Sequence, residues 1–466
     1  MRTNKLISIL LFCTIFTISM QNILAEDMGD LTLSKIKEIQ ESFELNAANR
    51  AIMNAVTNND LKKLTLNREI YNSHNDIFNF KIETEGITNQ KSTGRCWLFA
   101  GLNILRPAVM KKYNLSSFEF SQNYLFFWDK LEKSNIFLEA IISTRKEDID
   151  DRELQTLIGN PIPDGGWWSY VSSLIYKYGV VPKDIMPETI NSESSRRMNY
   201  ILKHLLRHDA AELRKLSEEG SNKEELRLTK LKMLEDVYKI LVFHLGEPLY
   251  EFMWRFEDKD GKIVERKYTP AIFYSESVGI RLNEYITLLD HPLHDYNERY
   301  QIEYCRNMSE VANMDFINIK TDQLKKLALE AVLDSVPVWF AADVGHDMDR
   351  EKGIMATGLY DYTSLFDIDI TFSKEEAVAF KSGIPGHAMV FVGVDTLNGR
   401  PRKWLVENSW GSDGGNNGYW SMYDSWFDKY VFNVIIPKKY LPEDMLKLLD
   451  KKPEILPAWD PMRNAF

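Results

Sequence analysis

Four side chains in this sequence are of the types and spacing that nucleophilic chemistry needs: Cys96, Gln90, His387 and Asn408. Cys96, one of three cysteines, stands in the stretch TNQKSTGRCWLFA, residues 88–100. Small polar residues and Gly94 precede it, and Leu98, Phe99, Leu102, Ile104 and Leu105 follow. A turn therefore feeds an apolar helix whose first turn carries the thiol. The positive end of the helix dipole at that position favours thiolate and is expected to lower the thiol pKa. Gln90, six residues upstream, can fold back beside the sulfur. Its amide N–H and the Cys96 backbone N–H would make a donor pair for an oxyanion. A cysteine nucleophile needs an imidazole to take its proton and a third group to hold the imidazole. SGIPGHAMVFVGVD places His387 at the mouth of an apolar strand, Ala388 to Val394. WLVENSWG ends a second strand, Trp404 to Glu407, at Asn408. Neighbouring strands, one opening on His and one closing on Asn, bring the two side chains together, with Trp410 placed to cover their hydrogen bond. Taken singly, each residue has a plainer role as small buried hydrophobe, core histidine or turn asparagine.

In combination, the order Gln, Cys, His, Asn with these flanking words resembles the papain-like cysteine peptidases. QKSTGRCWLFA, GHAMVFVGV, VENSWG and the ending LPAWDPM are similar, more narrowly, to the bleomycin hydrolase/aminopeptidase C branch, over roughly Asp27 to the last residue. The resemblance implies an α+β papain-like fold: a helical half, an antiparallel sheet or barrel half, and a large helical insertion. It implies Cys96 as nucleophile, His387 as base, Asn408 as its orienter and Gln90 as oxyanion donor. The activity implied is a thiol aminopeptidase acting on peptides, with no cofactor and no metal. Two positions depart from the papain signature, which has Cys where Thr93 stands and Ser or Ala where Arg95 stands. His387 follows Cys96 by 387 − 96 = 291 residues, against about 130–150 in the ordinary pattern, so roughly 150 residues are inserted.

The segments that carry these residues follow one another along the chain. Helical stretches Thr32 to Ala55 and Leu61 to Leu66 come first, then an extended approach to the active-site turn in which His74 reads as a surface residue. An aromatic-rich helix follows the Cys helix. Asp164-Gly165-Gly166 then makes a turn that lets a backbone approach closely. In papain-like folds such a Gly-Gly stretch lines the substrate cleft, which makes Gly165 and Gly166 binding candidates together with Trp410. Two helices broken at Gly220-Ser221-Asn222 carry leucines at three- and four-residue intervals and read as a hairpin projecting from the body, its apolar stripe left for a partner. The resemblance makes it an arm that locks subunits into a homohexameric ring. A β-hairpin turns at Lys259-Asp260-Gly261, and a helix and strand, Thr321 to Asp334 and Val336 to Ala342, open the sheet-rich half. The resulting division is 1–25 leader, 26–191 helical half, 192–270 insertion, 271–456 sheet half and 457–466 tail. His204, His208 and His244 lack metal-site spacing, and His346 sits in a charged loop unlike a calcium loop.

The last ten residues bear on specificity. By the resemblance, such a tail lies along the cleft and its terminal carboxylate, at Phe466, meets the free α-amino group of the substrate. Arg463 and bulky Phe466 replace the branch's small apolar ending, and an endopeptidase results if the tail stays out of the cleft. The N-terminus has the layout of a secretory signal peptide: Arg2 and Lys5, an apolar run from Leu6 to Met20, and a cut near Ala25. An exported chain, periplasmic or secreted, with no later membrane span, is expected. The 57 basic and 68 acidic residues leave a net charge of −11, which argues against a ring that binds nucleic acid. Cys305 reads as a strand or core residue, because a nucleophilic Cys96 has to stay out of a disulfide.

Overall fold

The structure is a computed structural model that describes residues 29–84 and 86–464. The expected leader, 1–25, and Phe466 lie outside the described residues. The chain divides into two units, residues 1–65 and 66–466. In the first, the stretch expected from Thr32 to Ala55 is two helices, Leu33–Ser42 and Ala47–Asn58, because Asn46 restarts the chain as an N-cap whose side chain accepts from the Asn49 N–H.

The second unit has a helical half and a sheet half. Helix α1, Cys96–Tyr113, buries Trp97, Leu98, Leu102 and Leu105, and α2, Gln122–Ser143, buries Phe126, Phe127, Leu138 and Ile141. The near-continuous apolar sequence at the start of α1 leaves no solvent stripe and belongs in an interior, whereas α2 also buries Asp129, Lys130, Glu132 and Lys133, with Lys133 paired to Asp129 and Lys130 to Asp164. Helix α3, Trp168–Tyr178, stops at Gly179, whose φ of 71° a residue with a Cβ adopts poorly.

The insertion forms α4, Arg196–Glu218, and α5, Lys223–Leu245, with a capping box between Asn222 and Glu225 opening α5. Its apolar stripe is not left for a partner. Leu202, Leu206, Leu213, Leu226, Val237 and Leu241 are buried in the same cluster as Phe127 and Leu138 of α2. The leucine period marks a buried face without saying what covers it, and here the body of the same chain does. Tyr200, Leu228, Leu231 and Phe243 remain exposed on these helices. The expected β-hairpin follows as the separate ribbon Phe252–Glu257 and Ile263–Tyr268.

The sheet half runs β1 Tyr285–Leu289, β2 Glu298–Ile302, β3 Asp315–Asn318, helix α6 Thr321–Leu333, β4 Val338–Ala342, β5 His387–Leu397, β6 Arg400–Glu407, β7 Tyr419–Tyr423, β8 Val431–Pro437 and β9 Glu454–Leu456. The spatial order is β9-β2-β3-β1-β8-β4-β5-β6-β7, mostly antiparallel, in a twelve-stranded sheet. β4 and the first nine residues of β5 are buried throughout, as continuous apolar runs require when both faces are covered. Val390 of β5 pairs with Glu407 of β6, which leaves His387 and Asn408 at one edge. His74 is not on the surface: its side chain is 5% exposed and faces Asp76 and the Tyr423 hydroxyl, each at 3.3 Å.

Candidate active site

The thiol sits where the sequence predicts, on the first residue of α1. No side chain caps this helix end; the Leu98 and Phe99 N–H groups bond the Arg95 carbonyl, which leaves those of Cys96 and Trp97 for a ligand. The backbone N–H groups of Ala388, Trp97 and Cys96 favour a thiolate at this sulfur, and the first of these places the thiol by the start of β5, one residue from His387. The preceding loop is locked in place. Gly94 N–H donates to Asp164 Oδ2 at 3.3 Å and the Trp97 indole to the Asp164 carbonyl at 2.8 Å. The two departures from the papain signature serve each other here. Thr93 Oγ1 donates to the Gln90 carbonyl at 2.7 Å and accepts from Arg95 Nε at 3.1 Å. Arg95, fully buried, makes a two-pronged pair with Glu188 at 3.2 and 2.8 Å and lies over the rings of Phe99 and Phe126. Hydrogen bonds and an ion pair thus brace the loop at the place where the signature has a disulfide partner.

Gln90 is held by the Asn408 segment. Its N–H donates to the Ser409 carbonyl at 2.8 Å, and Ser409 Oγ donates to its Oε1 at 2.6 Å. The amide oxygen is thereby turned away, and Nε2 is directed along the Cys loop, where one hydrogen reaches the Thr93 carbonyl at 2.6 Å. The second hydrogen of that NH2 group is the one an oxyanion would receive.

His387 Nε2 lies 2.8 Å from Asn408 Oδ1, and the Ser409 backbone N–H lies 2.8 Å from the same oxygen. A backbone N–H can only donate, so the atom it faces is the amide oxygen. His387 Nε2 must then carry the proton, and Nδ1 is the basic nitrogen. Trp410 stacks on the imidazole that makes this bond, at 4.7 Å between centroids.

The electrostatics differ from expectation at one point. Burial pushes the Cys96 thiol up to about 11, with the backbone N–H groups opposing, whereas the helix end predicts a lowered value. Desolvation of a fully buried sulfur outweighs the dipole and its hydrogen bonds. Burial also brings the His387 imidazole down to about 4, opposed by Asn408. Either charge alone is disfavoured. A thiolate beside an imidazolium would be neutral as a pair and escape most of that penalty, so passing the Cys96 proton to His387 would leave one proton shared by the two groups.

Gly165 and Gly166 line one cavity with Lys133, Tyr170, Arg306 and Arg463. A Cβ at Gly166 would stand 2.8 Å from the Trp97 ring, so only glycine fits beside the residue that follows Cys96. Lys133 donates to the Gly165 carbonyl at 2.6 Å from behind. The tail is therefore at this wall as far as Arg463. Cys96 and Cys305 are both buried and unbridged.

Sequence reasoning missed two pairings. Arg106 of α1 meets Glu407 of β6 at 3.0 Å, both buried, joining the Cys helix to the residue before Asn408. A lone Arg inside an apolar helix and a lone Glu inside an apolar strand were the available signal. His291, His294 and Asp460 also converge.

Such a site on such a fold defines a papain-like cysteine peptidase, and comparison with known proteins agrees. The sequence model of the Peptidase C1-like family matches residues 30–463. The chain is 38% identical to aminopeptidase C of Streptococcus thermophilus, across 93% of this chain and 99% of that protein. It is 40% identical to bleomycin hydrolase of Homo sapiens, across 88% and 93%. The crystal structure of PepW from Lactobacillus rhamnosis HN001 (DR20) superimposes with a TM-score of 0.90 at 36% identity, covering 93% of this chain and 99% of that one. The chain belongs to the Peptidase C1-like family, in the branch of aminopeptidase C and bleomycin hydrolase.

Proposed function

We propose that this chain is a thiol aminopeptidase that removes residues from peptide N-termini by acyl-enzyme catalysis. The observation that carries the reading is the fixed tautomer of His387: Asn408 and the Ser409 N–H leave Nδ1 as base beside the Cys96 segment. The names of the relatives support the exopeptidase character. His387 Nδ1 takes the thiol proton as Cys96 attacks the substrate carbonyl, and a C–S bond forms. Gln90 Nε2 and the Cys96 N–H receive the oxyanion. The proton passes from His387 to the departing amine as the C–N bond breaks. His387 then deprotonates a water that hydrolyses the thioester, restoring the thiol. Gly165 and Gly166 form the wall along which the peptide backbone lies, and Trp410 keeps water from the His–Asn bond. The tail limits substrates to free N-termini by pairing the Phe466 carboxylate with the substrate amine.

The leader-like N-terminus supports export to a periplasm or out of the cell. Among the described residues no helix is long and apolar enough to cross a membrane. The exposed Tyr200, Leu228, Leu231 and Phe243 on α4 and α5 support assembly into a homohexamer through these helices. Release of the N-terminal residue from free-amine dipeptide amides by the mature protein, and none by Cys96→Ala, is the expected result. Equal release by both would refute the reading.

A further inference from the structure

The carboxylate of Asp460, in the tail word WDPM, lies where two imidazoles converge. His291 Nε2 is 3.2 Å from each of its oxygens, and His294 Nε2 is 3.3 Å from Oδ2. The Met462 backbone N–H adds a fourth contact, 2.9 Å to Oδ1. The imidazoles are themselves held by the sheet. Asn318, at the end of β3, accepts the His291 N–H at 2.8 Å and donates to the carbonyls of His291, His294 and Asp295 at 3.1, 3.0 and 3.1 Å. On the tail side, β9 pairs in parallel with β2, Trp459 lies under the Arg152 guanidinium at 4.4 Å, and Met462 is fully buried. The next residue, Arg463, lines the cavity with Gly165 and Gly166. From there, three further residues reach at most about 10 Å.

We propose that His291 and His294 form a two-imidazole anchor that grips Asp460 by hydrogen bonds and so delivers the chain end to the substrate cleft, making the three of them positioning residues for exopeptidase specificity. This deepens the proposed function and rests on the tail closing the cleft. Three N–H groups, those of His291, His294 and Met462, reach the two carboxylate oxygens between them. His291 Nδ1 is buried with no hydrogen-bond partner among the described residues, whereas a metal-bound imidazole ordinarily has its other N–H bound. Burial alone would raise the Asp460 carboxyl, but the bonds from His291 and His294 outweigh it and hold it well below the usual carboxylate range, so the gripped group stays an anion.

Two variants test the anchor: Asp460→Asn, which keeps the shape, and His294→Gln, at the half-buried imidazole, which leaves the tail sequence intact. Thermal melting first shows that each is folded. The first readout is the ratio of cleavage of N-acetylated to free-amine peptides, compared with a variant lacking residues 463–466. The second is the rate at which a carboxypeptidase trims the C-terminus, followed by intact mass. Both variants should trim roughly tenfold faster or more, the weight of one hydrogen bond to a charged group. Their cleavage ratio should rise toward that of the truncated protein, and adding the truncation should give no further gain. Unchanged trimming in both folded variants would overturn the anchor. So would a trimming rate in the intact protein that rises with a chelator, which would make the cluster a metal site. If truncation itself leaves the ratio unchanged, the gating reading fails, and trimming alone decides the anchor.

Discussion

At the scale of single residues, the pairing of a raised Cys96 with a lowered His387 sets a wide active range. Protonation of His387 would remove the base that accepts the thiol proton, and burial, which brings this imidazole down to about 4, places that loss well into acid. Alkylation of Cys96 by iodoacetamide should therefore show an acid limb near pH 4 and be level by pH about 6. A rise centred near 8.5, as for an ordinary thiol, would contradict a coupled pair. Gln90→Ala removes one oxyanion donor and should lower kcat about 10²-fold with little change in KM; an equal loss carried by KM would place Gln90 in ground-state binding instead. Cys96, His387 and Asn408 could be singled out because the chemistry needs those residue types and each lies at a helix or strand end. Ser409 was not singled out, although its N–H and hydroxyl orient both Asn408 and Gln90, because a serine in a loop carries no mark of what it will bond.

At the scale of elements, the site exists only where α1 and the β5–β6 pair are held in register, and Arg106–Glu407 is the buried link between them. Glu407→Ala leaves a guanidinium 2% exposed without its partner, and should destabilise the fold by about 3–5 kcal/mol. Denaturant unfolding measures it; a loss under about 1 kcal/mol would mean the pair is not what joins the halves. The two strands were legible from their apolar runs. What α4 and α5 bury was not, because a leucine stripe specifies a covered face and not its cover. The same limit hid His291 and His294: their partner Asp460 is 169 and 166 residues further on, and no periodicity connects a loop to a tail.

At the scale of the molecule, the apolar residues left exposed on α4 and α5 make assembly the expectation. Light scattering should give a particle several times the 54.3 kDa of the full chain, and Phe243→Glu, at a position 75% exposed, should reduce it toward the single chain with folding retained. A monomeric parent protein would remove the arm's proposed role. The proposed function joins the nucleophile to a cleft closed by the chain's own end. Its most direct test is hydrolysis of one peptide series, with free and with acetylated N-termini, by the mature protein, by Cys96→Ala and by the variant lacking residues 463–466. Cleavage of free-amine peptides only, none by Cys96→Ala, and cleavage of both by the truncated form is the expected result. Equal cleavage of both series by the intact protein would contradict it.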